Sequence, residues 1–91
     1  MFKTLEELIA VIRQRRKFSV EESYTKKILN NKKLSVEKVK EEIAELIDAI
    51  EKNTNKVHEA TDVLYHLMVL LEANDINIED VMDELKKRQK K

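Results

Sequence analysis

Four acids are spaced so that their carboxylates can converge: Glu42 with Glu45, and Glu59 with Asp62. Each pair stands at i,i+3, which sets both members on one side of a helix. The second pair opens the most apolar segment of the chain, which runs to Leu71. Acids seldom enter a core-facing helix without a compensating cation. From Val57 to Leu85 there are eight acids and no Lys or Arg. The expected compensating charge is therefore a divalent metal ion. Carboxylates without thiols, and with few imidazoles, favour magnesium or manganese over zinc. Magnesium also keeps waters and phosphate oxygens in its octahedron. Such a centre suits phosphoanhydride chemistry, because it neutralises phosphate charge and lowers the pKa of a bound water.

Two helices must position these acids. The third helix of the chain is expected over about 36–52, with Ser35 as its cap. Val36, Val39, Ile43, Leu46, Ile47 and Ile50 form a stripe of 3.6-residue period along it. Lys38, Glu42, Glu45 and Ala49 run beside that stripe. After a break at Asn53-Thr-Asn55, a fourth helix is expected over about 56–73, with Glu59, Asp62 and His66 in line. An antiparallel hairpin over the short link turns both acidic lines into one cleft. It brings Glu45 and Glu59 closest, with Glu42 and Asp62 a turn further away.

The remaining segments also read as helix. Thr4 to Glu7 has the pattern of a capping box, and so does Ser19 to Glu22. The first opens a helix with Leu5, Leu8, Ile9 and Ile12 on one face, fading through Arg13 to Lys17. The second opens a short helix to about Leu29, followed by a polar link at Asn30 to Lys33. Asn77 is a candidate N-cap for a last helix over about 78–89, which carries Ile78, Val81, Met82 and Leu85 on one side. The expected architecture is all-α, a small bundle of four to five helices forming one domain over 1–91. The fourth helix is apolar around most of its girth from Val63 to Leu71. A small bundle cannot cover such a helix alone, so a homo-oligomer is expected to complete the core.

Composition removes other classes. The chain has 91 residues and no Cys, Gly or Pro. That excludes disulfides, thiolate zinc sites and glycine-rich phosphate loops. Acidic and basic residues balance at 18 each, which disfavours generic nucleic-acid binding. The longest apolar run of the second half, Leu67 to Leu71, falls far short of the ~20 residues that span a bilayer. No membrane partner and a cytoplasmic location are expected.

Several other side chains invite a role and a plainer alternative. Lys38, one turn before Glu42, can pair with it or hold a phosphate. Ser23 and Thr25 offer hydroxyls to phosphate or ribose, or occupy partly exposed helix positions. Tyr24 and Tyr65 can stack on a base or pack in a core. His66 can touch a phosphate or a carboxylate, or pack as a hydrogen-bonded core histidine; it is not expected to ligate the metal. His58 is expected to be solvated. Arg13, Arg15, Arg16 and Lys17 form either a solvated helix end or a phosphate-binding group.

Lys38-Val-Lys-Glu-Glu-Ile-Ala-Glu45 resembles the pattern K-V-x-E-E-x-x-E, and Glu59 to Leu71 resembles E-A-x-D-L-x-Y-H-x-x-V-L-L. Ser23-Tyr-Thr25 resembles an S-Y-T segment, and Val81 to Arg88 resembles V-x-x-E-L-x-x-R. Together these patterns resemble the phosphoribosyl-ATP pyrophosphohydrolases of histidine biosynthesis, within the MazG-like all-α nucleotide pyrophosphohydrolases. The resemblance spans about residues 4 to 88. It departs at Lys40, often glycine in the family, and in the segment just before Ser23. It implies hydrolysis of 1-(5-phosphoribosyl)-ATP to 1-(5-phosphoribosyl)-AMP and pyrophosphate. It implies that Glu42, Glu45, Glu59 and Asp62 hold Mg2+, and that Glu41 is a further ligand or positions the attacking water. Ser23, Tyr24, Thr25, Lys38 and His66 are then expected to bind substrate. Two alternatives are a house-cleaning (d)NTP pyrophosphatase of the same superfamily and a non-enzymatic helical dimerisation module.

Overall fold

The computed structural model describes residues 1–18 and 23–89, and the side chains of these except Phe18. Five helices follow in order: α1 (Lys3–Phe18), α2 (Tyr24–Leu29), α3 (Lys32–Lys52), α4 (Lys56–Ala73) and α5 (Ile78–Gln89). No strand occurs among the described residues. The all-α expectation holds, and the last two helices have the expected bounds.

Helix starts depart more from expectation. Helix α1 begins at Lys3, so Thr4 lies inside it and no Thr4 cap forms; the Phe2 carbonyl accepts from Glu6 N–H at 3.2 Å instead. The helix also continues through Arg13–Lys17 rather than fading there. Ser19 to Glu22 lies outside the described residues, and α2 is capped by Ser23, whose hydroxyl accepts from Lys26 N–H at 3.1 Å. Helix α3 starts four residues earlier than expected. Asn31 Oδ1 accepts from Leu34 N–H at 3.0 Å, so Asn31 is the cap. Ser35 is buried one turn inside and donates to the Lys32 carbonyl at 2.7 Å. Asn serves as a cap about as well as Ser. At α5 the Asn77 carbonyl accepts from Asp80 and Val81, and no side-chain cap from Asn77 is seen among the described residues.

The chain makes its sharp reversals without glycine. Asn53 closes α3 at φ 56°, and Thr54 N–H returns to the Ala49 carbonyl at 3.0 Å. Asp75 follows α4 at φ 58°, and Ile76 N–H returns to the Leu71 carbonyl at 2.9 Å. Both returns are Schellman motifs, in which Asn and Asp take the left-handed position usually given to glycine. Asn55 is also left-handed, at φ 47°. Two left-handed residues within three positions fold α4 back along α3, which makes the longest helix–helix contact of the chain.

The core gathers Ile12, Ile28, Leu29, Met68, Val69 and Ala73, with Leu5, Leu8, Ile9, Leu34, Tyr65, Leu71 and Ile78 packed around it. It lies among α1, α2 and α4. Only Val39 of the α3 apolar stripe is buried within the chain; Ile47 is 52% exposed and Ile50 57%. On α4, Val57, Leu64 and Leu67 are also exposed. Helix α5 contributes no fully buried residue. It is tied to the body by Arg13, which donates to both Glu79 oxygens at 2.9 and 2.6 Å. Arg16 adds bonds to the Glu72 carbonyl and carboxylate and to Asp75. These two arginines, read in sequence as solvent-facing or phosphate-binding, are thus committed to acids 56 to 66 residues away.

Candidate active site

Helix α3 presents Lys38, Glu41, Glu42 and Glu45, and α4 presents Glu59, Asp62 and His66 across from them. One oxygen from each of Glu42, Glu45 and Glu59 lies within 4.8 Å of the others. One ligand atom from each of His58, Glu59 and Asp62 makes a second group of the same tightness. Glu59 belongs to both, so it joins the α3 acids to the Asp62 edge. As a first-turn residue of α4 it also sits at the positive end of the helix dipole.

The first group is partly sealed from water. The Glu42 side chain is only 15% exposed. Its Oε2 and that of Glu59 are buried without any hydrogen-bond partner. Burial, then the Glu45 carboxylate, pushes the Glu42 pKa above the usual range. The same two causes raise Glu59. Clustered like charges that are partly buried are held at a cost. Three carboxylates with oxygens this close, two of them carrying a buried unpartnered oxygen, would suit a hard divalent cation. An open depression of about 390 Å³ borders the cluster, lined by Ala44, Glu45, Asp48, Ala49, Thr54, Asn55 and Glu59.

Of the four expected metal ligands, Glu42, Glu45 and Glu59 form one compact set. Asp62 is displaced from it: its Oδ2 lies 3.4 Å from His58 Nε2. His58 is exposed, as expected, and its i,i+4 spacing still lets it approach Asp62. Glu41 is exposed and faces Lys38, with Nζ–Oε2 at 3.4 Å. Lys38 therefore pairs with Glu41 rather than Glu42, and that partner raises its pKa.

The expected substrate-binding residues split. The Ser23 hydroxyl is occupied as the α2 cap. The Thr25 hydroxyl bonds the Tyr65 hydroxyl, which joins α2 to α4. Tyr24 remains half exposed at the rim. His66 is buried, with the Tyr65 ring edge-on at 4.9 Å and the Tyr24 ring edge-on at 5.9 Å. Its Nε2 lies 3.9 Å from Glu42 Oε1. Burial lowers its pKa, so the ring is neutral near pH 7.

An antiparallel helix pair that gathers carboxylates beside an open polar depression defines a class: small all-α proteins with an acidic interhelical cleft. Residues 5–89 match the family described as phosphoribosyl-ATP pyrophosphohydrolase, and the chain belongs to that family. A phosphoribosyl-ATP pyrophosphatase of Methanococcoides burtonii is 40% identical over 90 residues, covering 93% of this chain and 91% of that protein. Another, of Methanocella arvoryzae, is 39% identical over 95 residues, covering 99% of this chain and 100% of that protein. A histidine biosynthesis bifunctional protein of Pyrococcus furiosus is 41% identical over 87 residues; the match covers 94% of this chain but only 41% of that longer protein.

Proposed function

We propose that the acidic cleft between α3 and α4 hydrolyses 1-(5-phosphoribosyl)-ATP to 1-(5-phosphoribosyl)-AMP and pyrophosphate, with Mg2+ held by Glu42, Glu45 and Glu59. The observation that carries this is the group of Glu42, Glu45 and Glu59, with one carboxylate oxygen of each within 4.8 Å of the others and with Glu42 Oε2 and Glu59 Oε2 buried and unpartnered. Membership of the family supports the substrate and the reaction. Water adds to a phosphorus of the anhydride, the bond between the α- and β-phosphoryl groups breaks, and pyrophosphate leaves with the bridging oxygen. When bound, Mg2+ offsets phosphate charge and makes a coordinated water more acidic.

The chain's own residues do the positioning. Glu59 links the inner cluster to Asp62, so Asp62 would be the fourth carboxylate available to hold the cation. Glu41 stands at the outer edge, where its carboxylate can accept a proton from the attacking water. Lys38 and half-exposed Tyr24 flank the opening and suit a phosphate and a ring, respectively. Phosphoanhydride hydrolysis needs orientation and charge neutralisation more than an elaborate nucleophile.

The exposed apolar residues Ile43, Ile47 and Ile50 of α3 and Leu64 and Leu67 of α4 support pairing with a second copy of the chain. Among the described residues no helix is long and apolar enough to cross a membrane, which is compatible with a cytoplasmic enzyme.

A substrate panel tests the reading. Pyrophosphate release from phosphoribosyl-ATP should require Mg2+ and greatly exceed release from common NTPs and dNTPs. Efficient hydrolysis of ordinary NTPs with phosphoribosyl-ATP ignored would move the protein to the house-cleaning class.

A further inference from the structure

The His66 imidazole is held by packing, and its polar atoms are left over. Its side chain is only 8% exposed. Two tyrosine rings meet it edge-on, at interplanar angles of 87° and 81°, and fix the plane of the ring. The Tyr65 hydroxyl is already taken by Thr25. Nδ1 is buried with no hydrogen-bond partner. A phenylalanine would fill this space without leaving a buried polar atom unsatisfied, which is destabilising.

The other nitrogen explains the choice. Nε2 lies 3.9 Å from Glu42 Oε1. Orphaned buried N–H groups are rarer than under-used acceptors. The proton of the neutral ring therefore belongs on Nε2, the side that faces a carboxylate, and Nδ1 is the bare acceptor. A movement of roughly 1 Å brings Nε2 and Oε1 to hydrogen-bond length. The second oxygen of the same carboxylate, Oε2, is buried without a partner, and Glu42 belongs to the acidic cluster.

We propose that His66 is a positioning residue: Nε2–H donates to Glu42 Oε1 and so aims Glu42 Oε2 at the bound cation. This rests on the cation reading above and gives His66 a role toward Glu42 rather than toward substrate. Carboxylates that ligate metals are commonly fixed by such outer hydrogen bonds, and their loss costs about 10–100-fold in metal affinity.

Mn2+ alone is the probe, with binding followed by the electron paramagnetic resonance of the free ion. His66→Phe keeps the ring packing and removes the donor. It should weaken Mn2+ binding by about 10–100-fold while the metal-free Tm stays level or rises. His66→Gln, which restores a donor, should recover part of the affinity. In the wild type, nitrogen-15 NMR should show the Nε2–H tautomer. Wild-type affinity in His66→Phe, or an Nδ1–H tautomer in the native protein, would overturn the assignment. Failure of the wild type to bind Mn2+ would remove the cation reading as well. Should both variants misfold, the wild-type tautomer decides alone.

Discussion

Glu45 and Glu59 face each other across the α3–α4 hairpin, with carboxylate oxygens no more than 4.8 Å apart. Among the described residues neither forms a salt bridge with Lys or Arg. Like charges so close stand at a cost, and the remainder of the site can be understood as what recovers it. Glu45→Gln or Glu59→Gln should therefore reduce kcat by about 10²-fold or more, the scale seen when one preorganised electrostatic contact to a reacting group is lost. Steady-state pyrophosphate release measures this. Asp62→Asn should also lower activity, because Asp62 shares Glu59 with the inner cluster. A fully active Glu59→Gln would detach the cluster from catalysis.

Stability should respond to pH in two opposed ways. Glu42 and Glu59 have raised native pKa values. The folded state then binds protons more tightly than the unfolded chain. Metal-free stability falls as pH rises from 4.5, the ordinary carboxylate value, through the raised native values. Glu79 is held down to about 2, first by its bond from Arg13, and Asp75 is lowered by Arg16. Their contribution is complete above the ordinary carboxylate values and is lost as pH falls toward about 2. Melting curves across this range should peak in mildly acidic solution when a chelator is present. Mg2+ should flatten the upper limb, because a cation held only by the folded cluster would stabilise the native state. Glu42→Gln should raise the metal-free Tm near neutral pH while lowering the gain from Mg2+. A metal-free Tm that climbs steadily from pH 4.5 to neutrality would contradict the buried, unpartnered carboxylates.

Much of this was legible in the sequence. The bounds of α4 and α5, the antiparallel hairpin and the approach of Glu45 to Glu59 follow from apolar period and i,i+3 spacing. Helix starts were less legible, because several polar residues compete for each cap. Asn31 displaced Ser35, and Ser23 serves a backbone N–H where a substrate contact was expected. The Arg13 and Arg16 clasp was hidden because its partners are far away in sequence, and charge alone does not name a distant acid. The turning of Asp62 toward His58 reflects a choice between two neighbours that sequence spacing leaves open.

The Asn53–Asn55 link should govern the register of the site. Asn53→Gly fits the same left-handed backbone and should leave Tm and activity near wild type. Asn53→Val places a β-branched residue at φ 56°, at a cost of roughly 1–2 kcal/mol. That predicts a Tm loss of about 4–8 °C per kcal/mol. Weaker Mg2+ binding should accompany it, because Glu45 and Glu59 flank the turn. Equal Tm values for the two variants would show that the turn is not under this constraint.

The exposed side of α3 and α4 should hold a second copy. Ile47→Glu, at a residue half exposed in the single chain, should shift sedimentation equilibrium toward monomer. Met82→Glu, at a comparably exposed position on α5, should change it far less. A wild type that sediments as a monomer would leave this apolar face without its proposed partner.

The most direct measurement is the anomalous signal of Mn2+ in crystals of the wild-type protein. It should give a peak about 2.0–2.6 Å from oxygens of Glu42, Glu45 and Glu59, with Asp62 swung away from His58 to join them. Crystals saturated with Mn2+ that show no peak at these carboxylates, grown from protein that still releases pyrophosphate, would contradict the account.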